Sequence, residues 1–206
     1  MNPTGVLEEY ALDAERLFES FEEIPSARVY ADVAHLLPTL PSRFADIGAG
    51  TGRDAAWFAA QGHSVLAVEP TKYFRTAGMA LHPSPRIEWV GDALPDLERT
   101  LARGEVLDRV VLCAVWQHLC DGERARAMPN LARLLAPDGL LIMSLRHGPD
   151  EPGCYASRRE DVVALAGDSG LKMSFACEAE SVHPASRALG VTRTWLAFAA
   201  APPRGS

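Results

Sequence analysis

Cysteine is scarce in this sequence of 206 residues, and its four cysteines form no Cys-x-x-Cys pair. They also lack a zinc-like spacing to histidine, so the pattern predicts neither a zinc site nor a disulfide framework. Free thiols are typical of a reducing compartment, which favours a cytoplasmic protein. The cysteines are Cys113, Cys120, Cys154 and Cys177.

Long apolar runs and an excess of positive charge are also missing. No uninterrupted apolar stretch approaches the roughly 18 residues of a membrane span, so no contact with a membrane is expected. Residues 1–5 contain neither the basic nor the apolar segment of a signal peptide. The net charge of −7 argues against a nucleic-acid binder, which normally carries a basic face.

The remaining composition is that of a globular protein, with 48% hydrophobic and 23% charged residues, and the length suits one domain. No internal repeat or low-complexity segment interrupts it. We expect an N-terminal helical lid over residues 1–40, a globular unit over 41–200 and a flexible tail over 201–206.

Apolar periodicity and turn residues predict strands that alternate with helices. The predicted strands are 44–47, 64–68, 87–90, 107–115, 140–145, 173–177 and 191–199. The predicted helices are 8–24, 28–37, 53–62, 74–81, 94–103, 122–136 and 161–166. The predicted helix 122–136 is capped by Asp121 and is kinked or restarted at Pro129. A turn at Pro137–Gly139 follows it. This order predicts an α/β fold with a mostly parallel seven-stranded sheet, helices on both faces and an antiparallel last strand.

A glycine-rich segment follows the first predicted strand, and an acidic residue ends the second. Asp46–Gly52 reads Asp-Ile-Gly-Ala-Gly-Thr-Gly. Glu69 follows about 20 residues later, as the ribose-binding acid does in nucleotide-binding α/β folds. The Gly-x-Gly-x-Gly spacing differs from that of dinucleotide sites, and the Asp46 carboxylate would repel a phosphate. The pattern therefore predicts a ligand with a ribose and a positive charge, and S-adenosylmethionine fits that description.

Five segments carry motifs that occur together in one protein family. They are Asp46–Gly52, Ala67–Pro70, Gly91–Pro95, Ala114–His118 and Leu134–Leu141. With them the chain resembles the class I S-adenosylmethionine-dependent methyltransferases, and most closely their small-molecule and tellurite-resistance-type branch. The resemblance implies a Rossmann-like fold and methyl transfer from S-adenosylmethionine, with S-adenosylhomocysteine as the product.

The resemblance also implies a role for the residues of the glycine loop. Asp46 is expected near the methionyl ammonium group, through water or through the loop amides. The backbone is expected to lie against the methionine and ribose at Gly48, Ala49, Gly50 and Gly52. Glu69 is expected to accept hydrogen bonds from both ribose hydroxyls, which suits an acceptor-only carboxylate. The alternative for Glu69 is a solvated acid at the end of a strand.

The adenine ring is expected between Pro70 and Leu94. By the same resemblance, Asp92 accepts a hydrogen bond from the adenine amino group and the Ala93 N–H reaches a ring nitrogen. Asp92 would equally suit the N-cap of a following helix, and the two roles are compatible.

The acceptor half of the site is expected at the ends of the fourth and fifth strands. Ala114 and Trp116 would lie beside the methionine and the methyl group, although Trp116 also suits the core. His118 and His147 are the candidate general bases, with Arg146 as a substrate contact. His118 would equally serve in packing, and Arg146 would equally bridge to an acid. No carboxylate cluster is placed to bind magnesium, so no metal is predicted.

Residues outside these segments have weaker assignments. Tyr10 and Tyr30 of the predicted lid are candidates to reach the cofactor carboxylate or the acceptor, with packing on the sheet as the alternative. Arg53 is a candidate to contact the methionine carboxylate. His63 is expected at a surface turn.

The sequence therefore predicts a methyltransferase that acts on the oxygen, nitrogen or sulfur atom of a small molecule by direct displacement. One alternative is a protein that binds S-adenosylmethionine or S-adenosylhomocysteine without turnover. Another is an NAD-type dehydrogenase, which the loop spacing and Asp46 disfavour. A monomer or a homodimer is expected, without a nucleic-acid partner.

Overall fold

The computed structural model describes residues 14–200, and within them seven strands form one sheet. The strands are β1 (Arg43–Ile47), β2 (Ser64–Val68), β3 (Ile87–Val90), β4 (Leu107–Leu112), β5 (Leu135–His147), β6 (Leu171–Glu180) and β7 (Thr192–Ala200). Their spatial order is β3-β2-β1-β4-β5-β7-β6. The pairs among β1 to β5 are parallel, and β7 is antiparallel to both β5 and β6. The predicted Rossmann-like sheet with an antiparallel last strand is confirmed.

Helices connect the strands and cover both faces of the sheet. They are α1 (Ala14–Glu22), α2 (Ser26–Val29), α3 (Arg53–Ala60), α4 (Lys72–Leu81), α5 (Glu98–Ala102), α6 (Asp121–Arg133), α7 (Arg159–Asp168) and α8 (Pro184–Ala188), with 3₁₀ helices at Ala31–Leu36 and Trp116–His118. None of the helices within residues 14–200 is long and apolar enough to cross a membrane.

Two apolar cores lie on opposite faces of the sheet. One face of the sheet packs Leu112 against Met128 of α6. The other packs Phe44 and Trp195 against Phe58 of α3. All five side chains are fully buried, so the strands near the centre of the sheet are apolar on both sides. Such burial is what a parallel sheet between two helix layers requires.

The N-terminal segment packs on the sheet through α3 rather than standing apart from it. Asp54 accepts hydrogen bonds from Ser26 Oγ at 2.6 Å and from the Tyr30 hydroxyl at 3.0 Å. The Tyr30 ring is fully buried and stacks on Trp57. The prediction that Tyr30 reaches the cofactor is therefore wrong, and its alternative of packing on the sheet is observed. Tyr10 and the tail 201–206 lie outside the described residues.

Five strands differ from their predicted bounds, and the differences in β4 and β5 affect the cavity edge and a predicted turn. β4 was expected to continue to residue 115, but it ends at Leu112, and Ala114 adopts a left-handed conformation with φ of 56°. β5 begins at Leu135 and includes the predicted turn at 137–139. The pairing of β4 with β5 shifts register between Leu107 and Arg109, and this irregularity accommodates Pro137 within the strand.

The helix bounds also differ from the prediction, most clearly in three helices, and α8 was not predicted. The span 28–37 forms α2 and a 3₁₀ helix, and only Glu98–Ala102 is α-helical within 94–103. α6 is capped by Cys120 and Glu123, not by Asp121, and continues through Pro129. Pro129 lies on the exposed side of the helix, where water can satisfy the carbonyl that loses its partner.

Candidate active site

A cavity of about 530 Å³ lies at the carboxyl edge of the parallel strands, a volume typical of small-molecule and cofactor sites. Its walls come from the ends of β1, β2, β4 and β5, the start of β7, and α1. The predicted site residues that line it are Gly48, Ala49, Gly50, Arg53, Glu69, Pro70, Asp92, Ala93, Leu94, Ala114, His118 and Arg146. Those that lie outside its lining are Asp46, Gly52, Trp116 and His147.

The glycine loop folds back onto the end of β2. The N–H groups of Gly48 and Ala49 both donate to the Val68 carbonyl, at 2.8 and 3.0 Å. Gly52 ends the loop with φ of 82° and is the N-cap of α3. A Cβ at this position would lie 2.6 Å from the Trp89 ring, so both the backbone conformation and the space require glycine.

Glu69 is held against the glycine loop by two backbone donors. Its Oε2 accepts from Gly50 N at 2.9 Å and its Oε1 from Thr71 N at 2.8 Å. Arg75 Nη1 donates to the carbonyls of Glu69 and Pro70, both at 2.7 Å, which fixes the backbone here. Burial raises the pKa of Glu69, and the hydrogen bonds from Thr71 and Gly50 act against this rise. The alternative of a solvated acid does not apply, because Glu69 is only 6% exposed.

Asp92 anchors helix α5 from the wall of the cavity. Its Oδ2 accepts from the N–H and the hydroxyl of Thr100, both at 2.8 Å, and its Oδ1 accepts from Ala93 N at 2.9 Å. The structural role considered for Asp92 is thus present, although as an anchor within α5 rather than as its N-cap, which is Leu97. Each carboxylate oxygen has a further lone pair, so the adenine contacts of Asp92 and Ala93 stay predictions.

Asp46 lies beneath the glycine loop rather than in the cavity wall. It is 3% exposed, and its Oδ2 is enclosed without a hydrogen-bond partner in the described chain. Burial and, next, the Asp54 carboxylate raise the pKa of Asp46 well above its usual range. Any effect of Asp46 on a bound ammonium group must therefore act through the loop, as the expectation of an indirect contact requires.

The end of β4 turns sharply into the cavity. Ala114 donates its N–H to Ser144 Oγ at 2.9 Å and accepts from Gln117 Nε2 at 2.8 Å, which together hold its strained backbone. Cys113 precedes it and also lines the cavity. Burial raises the pKa of the Cys113 thiol to about 12, so it is protonated near neutral pH.

His118 lies in the cavity wall and is held by the segment that follows β5. Its Nδ1 lies 2.9 Å from the Gly153 carbonyl, which assigns the Nδ1 proton and leaves the imidazole lone pair on Nε2. Burial lowers the pKa of His118, so the ring is neutral near pH 7. A neutral imidazole beside a cavity has the protonation state that a general base requires.

Arg146 and His147 occupy opposite faces of β5, because successive side chains of a strand alternate. Arg146 lines the cavity and forms an ion pair with Glu151 at 2.8 Å. The bridge to an acid that was considered for Arg146 is therefore observed. His147 lies outside the cavity lining, and its Nε2 is 2.8 Å from Thr194 Oγ1. This position contradicts the predicted role of His147 as a general base, and we do not assign it to the site.

Two further predicted site residues, Trp116 and Arg53, have roles in the fold. Trp116 is fully buried in the apolar core and lies outside the cavity lining, so its core alternative is the one observed. Arg53 lines the cavity, donates through Nε to Asp54 at 2.8 Å and through Nη1 to the Phe21 carbonyl at 2.6 Å. Its contact with the methionine carboxylate stays a prediction.

Sequence reasoning missed residues that only the folded chain brings to the site. Arg193 of β7 lines the cavity, and Glu22 of α1 accepts a hydrogen bond from the Thr51 hydroxyl of the glycine loop. Arg124 is buried and donates to the carbonyls of Tyr155 and Ala156, which fixes the segment after β5. No local motif marks these residues, because each acts on a partner distant in sequence.

Metal ligands are not assembled in the part of the chain that the structure describes. Among residues 14–200, no group of three or more histidine, cysteine, aspartate or glutamate side chains could hold a metal ion. All four cysteines are free thiols.

The sequence profile described as a methyltransferase domain matches residues 45–143, which span β1 to β4 and most of β5. Over this segment the chain is similar to the methyltransferase domains of the class I S-adenosylmethionine-dependent superfamily. No curated protein matches the chain by sequence.

Solved structures share the fold at low sequence identity. One is the 1,6-didemethyltoxoflavin-N1-methyltransferase of Burkholderia thailandensis with 1,6-didemethyltoxoflavin and S-adenosylhomocysteine bound: TM-score 0.76, 18% identity, 98% of this chain and 92% of that one covered. A TehB-like methyltransferase of Corynebacterium glutamicum has a TM-score of 0.64 and is 21% identical. The match covers 97% of this chain and 100% of that one. The [4+2]-cyclase SpnF has a TM-score of 0.75 and 13% identity, with 98% and 97% covered. These likenesses do not select the tellurite-resistance-type branch.

Proposed function

We propose that this protein transfers a methyl group from S-adenosylmethionine to a small-molecule acceptor. The observation that carries the proposal is the hydrogen bond between Glu69 and the Gly50 N–H, at one end of a cavity that extends past the β4 terminus. A carboxylate fixed to a glycine loop at this position suits ribose hydroxyls. The neighbour crystallised with S-adenosylhomocysteine has the same fold, which supports the same cofactor here.

The residues present fit this cofactor in charge and in shape. Asp46 provides an enclosed carboxylate oxygen without a partner in residues 14–200, just below the loop that would face an ammonium group. Pro70 and Leu94 both line the cavity and offer apolar surfaces for an adenine ring. A phosphate is disfavoured here, because the Gly50 N–H of the loop already donates to the Glu69 carboxylate.

When bound, S-adenosylmethionine would supply a sulfonium methyl group, to which an acceptor nucleophile bonds in line while S-adenosylhomocysteine leaves as the neutral thioether. The protein's part is to align the acceptor with that group and to exclude water. The β4 terminus at Ala114 forms the wall where the acceptor approaches, and Phe21 and Ile24 cover the cavity from the N-terminal side. We propose that residues 1–40 act as the lid of the site, over a catalytic unit of residues 41–200.

His118 is the proposed general base for a hydroxyl or protonated amine acceptor. Its ring lies in the cavity wall, its Nδ1 is fixed by the Gly153 carbonyl, and burial lowers its pKa. A base held in this way accepts a proton at Nε2 near neutral pH. Arg146 keeps the segment that carries Gly153 in place through its ion pair with Glu151.

Calorimetric titration with S-adenosylmethionine and S-adenosylhomocysteine tests the proposal, with a nicotinamide dinucleotide as the control ligand. We expect micromolar binding of either adenosyl ligand and no binding of the dinucleotide. A folded protein that binds neither adenosyl ligand would refute the proposed function. Binding of the dinucleotide alone would favour a dehydrogenase, and cofactor binding without methyl transfer to any screened acceptor would favour a binding protein without turnover.

The setting of the protein is part of the proposal. Four free thiols support a reducing compartment, and we place the protein in the cytoplasm. The acidic net charge of −7 supports a small-molecule partner rather than a nucleic acid. A monomer or a homodimer is expected, which sedimentation measurements will distinguish.

A further inference from the structure

Two arginines lie directly opposite each other where β5 ends and β7 begins. Arg146 of β5 pairs with Arg193 of β7 in the antiparallel register. Directly opposed residues of such a pair project from the same face, with Cβ atoms about 5 Å apart. Both side chains line the cavity. Like charges in this arrangement repel, so each guanidinium group requires an anion nearby.

The two arginines differ in how their charge is compensated. Arg146 has the Glu151 carboxylate at 2.8 Å. Arg193 forms no ion pair within residues 14–200, and its Nη1 is enclosed there without a hydrogen-bond partner. On the other side of β7, the residue opposite Arg193 is Ala179, which provides no charge. An enclosed cationic donor without an acceptor is unfavourable, so this position calls for an anionic partner.

Arg193 lies in the acceptor half of the cavity rather than in the cofactor half. In the sheet order, β4 and β5 separate β7 from β1, which precedes the glycine loop. At a strand spacing of about 4.8 Å, Arg193 is about 14 Å from that strand. The cavity lining also includes Ser181 and Ser186, which lie between β6 and β7 in the chain. The charge of Arg193 also opposes the burial-driven rise in the pKa of the Cys113 thiol, so its field reaches the β4 terminus.

We propose that Arg193 binds a carboxylate group of the methyl acceptor, which makes the substrates small carboxylic acids. The proposal rests on the proposed function and specifies its substrate class. A guanidinium group matches a carboxylate with two parallel hydrogen bonds. One uncompensated cation balances one negative charge, and the nearby Glu151 carboxylate disfavours a phosphate dianion.

The test uses protein loaded with S-adenosylhomocysteine and ligand-observed NMR. The probes are small aromatic carboxylates, each paired with its primary amide, so that shape is matched and charge is not. We expect the acids to bind roughly tenfold or more tightly than the amides, because the amides lack the charge that Arg193 would pair. Equal binding of acids and amides, or binding of neither, would overturn the proposal.

Substitutions then assign any preference to one residue. Arg193→Gln should abolish the preference for acids and leave the affinity for S-adenosylhomocysteine unchanged. Arg187→Gln is the matched control, because Arg187 is an exposed arginine on the nearby helix α8 outside the cavity lining. Arg193→Met, which keeps an unbranched apolar stem without the charge, replaces Arg193→Gln if that variant does not fold.

Two results would contradict the assignment to Arg193. A preference that survives in the folded Arg193 variant places the anion elsewhere. An equal loss of S-adenosylhomocysteine affinity would mean that Arg193 holds the cofactor carboxylate. If wild-type protein fails to bind S-adenosylhomocysteine at all, the proposed function fails first, and this outcome is distinct from a cofactor-loaded protein without a preference for acids.

Discussion

The Glu69 carboxylate accepts a hydrogen bond from the backbone N–H of Gly50, with 2.9 Å between Oε2 and N. The acid at the end of β2 is therefore attached directly to the middle glycine of the loop after β1. The other oxygen, Oε1, accepts from Thr71 N at 2.8 Å. Because backbone donors hold both oxygens, the orientation of the carboxylate is set by the fold. This preorganisation reduces the conformational entropy that is lost when a ligand binds.

Glu69→Gln should weaken the binding of S-adenosylhomocysteine by more than tenfold, which is about 1.4 kcal/mol. The amide lacks the negative charge and turns an N–H group toward a position where a ribose hydroxyl would donate. Calorimetric titration measures the affinity, and circular dichroism verifies the fold. Glu178→Gln is the control, because Glu178 is exposed on β6. Near-wild-type affinity of a folded Glu69→Gln variant would show that Glu69 does not bind the ribose.

Gly52→Ala should destabilise the fold more than Gly104→Ala does. Both glycines have positive φ, 82° and 66°, so both substitutions introduce backbone strain of about 1 to 2 kcal/mol. At Gly104 a Cβ would meet nothing within 4 Å, whereas at Gly52 it would lie 2.6 Å from the Trp89 ring. Overpacking adds about 1 to 3 kcal/mol at Gly52 only. Urea unfolding of the two variants measures the difference, and equal free energies of unfolding would contradict the clash with Trp89.

Single strands and helices were predictable, because each depends on a pattern of contiguous residues. β2 and β3 were predicted to the residue, since each is a short apolar run bounded by turn residues. The β4 terminus was predicted wrongly, because Cys113–Val115 continue the apolar pattern. Only the hydrogen bond from Ala114 to Ser144, a residue on a different strand, reveals why the chain leaves the sheet there.

The candidate site likewise has one half that was predictable from sequence and one half that was not. Its cofactor half is a set of local motifs and was predicted from sequence, whereas its acceptor half is assembled from separate elements. His147 was assigned to the wrong face of β5, because alternation shows that Arg146 and His147 diverge but not which one enters the cavity. Arg193 was missed because only the sheet order brings β7 beside β5.

The buried His63 should make the protein less stable as the pH falls. It was expected at a surface turn, but it is 1% exposed, packs on Phe44 and accepts a hydrogen bond from Ser42 N at 3.2 Å. Burial and, next, the charge of Arg109 lower the pKa of His63 below its ordinary value of 6.5. The unfolded chain therefore binds more protons in acid, so the stabilising contribution is complete above pH 6.5 and is lost as the pH falls through the folded-state pKa.

His63→Asn tests this pH dependence, because its side-chain oxygen can still accept from the Ser42 N–H. We expect the free energy of unfolding to fall less steeply in this variant than in wild type between about pH 7.5 and 5.5. Urea titrations across this range supply the two curves. His35→Asn is the control, because His35 is exposed. Parallel curves for wild type and His63→Asn would exclude His63 as the titrating group.

His118→Gln should lower turnover far more than cofactor affinity. Removal of a general base lowers kcat by roughly 10²- to 10⁴-fold for an acceptor that must lose a proton. Because burial lowers the pKa of His118, wild-type kcat should fall only when the pH drops below the ordinary histidine range. Initial rates with the first acceptor found, together with S-adenosylhomocysteine titrations, separate the two effects; His35→Gln is the control. Equal losses in turnover and in cofactor affinity would assign His118 to binding or folding instead.

Glu22 joins the N-terminal segment to the cofactor half of the cavity. Its Oε1 accepts from the Thr51 hydroxyl of the glycine loop and lies 3.1 Å from His82 Nε2 of the segment after α4. Glu22→Ala removes both contacts while leaving the apolar packing of Phe21 over the cavity in place. If this segment closes the site, S-adenosylhomocysteine should dissociate roughly threefold to tenfold faster, with little change in the association rate.

Stopped-flow measurements of binding and displacement give both rate constants for the Glu22→Ala variant. Glu19→Ala is the matched control, because Glu19 is an exposed acid on the same helix, about one turn earlier. Its rate constants should equal those of wild type, since it is not part of the contact with Thr51 and His82. An unchanged dissociation rate in Glu22→Ala would show that the residues before β1 support the fold without gating the cofactor. A change confined to that variant would instead assign the lid function to the contact between α1 and the glycine loop.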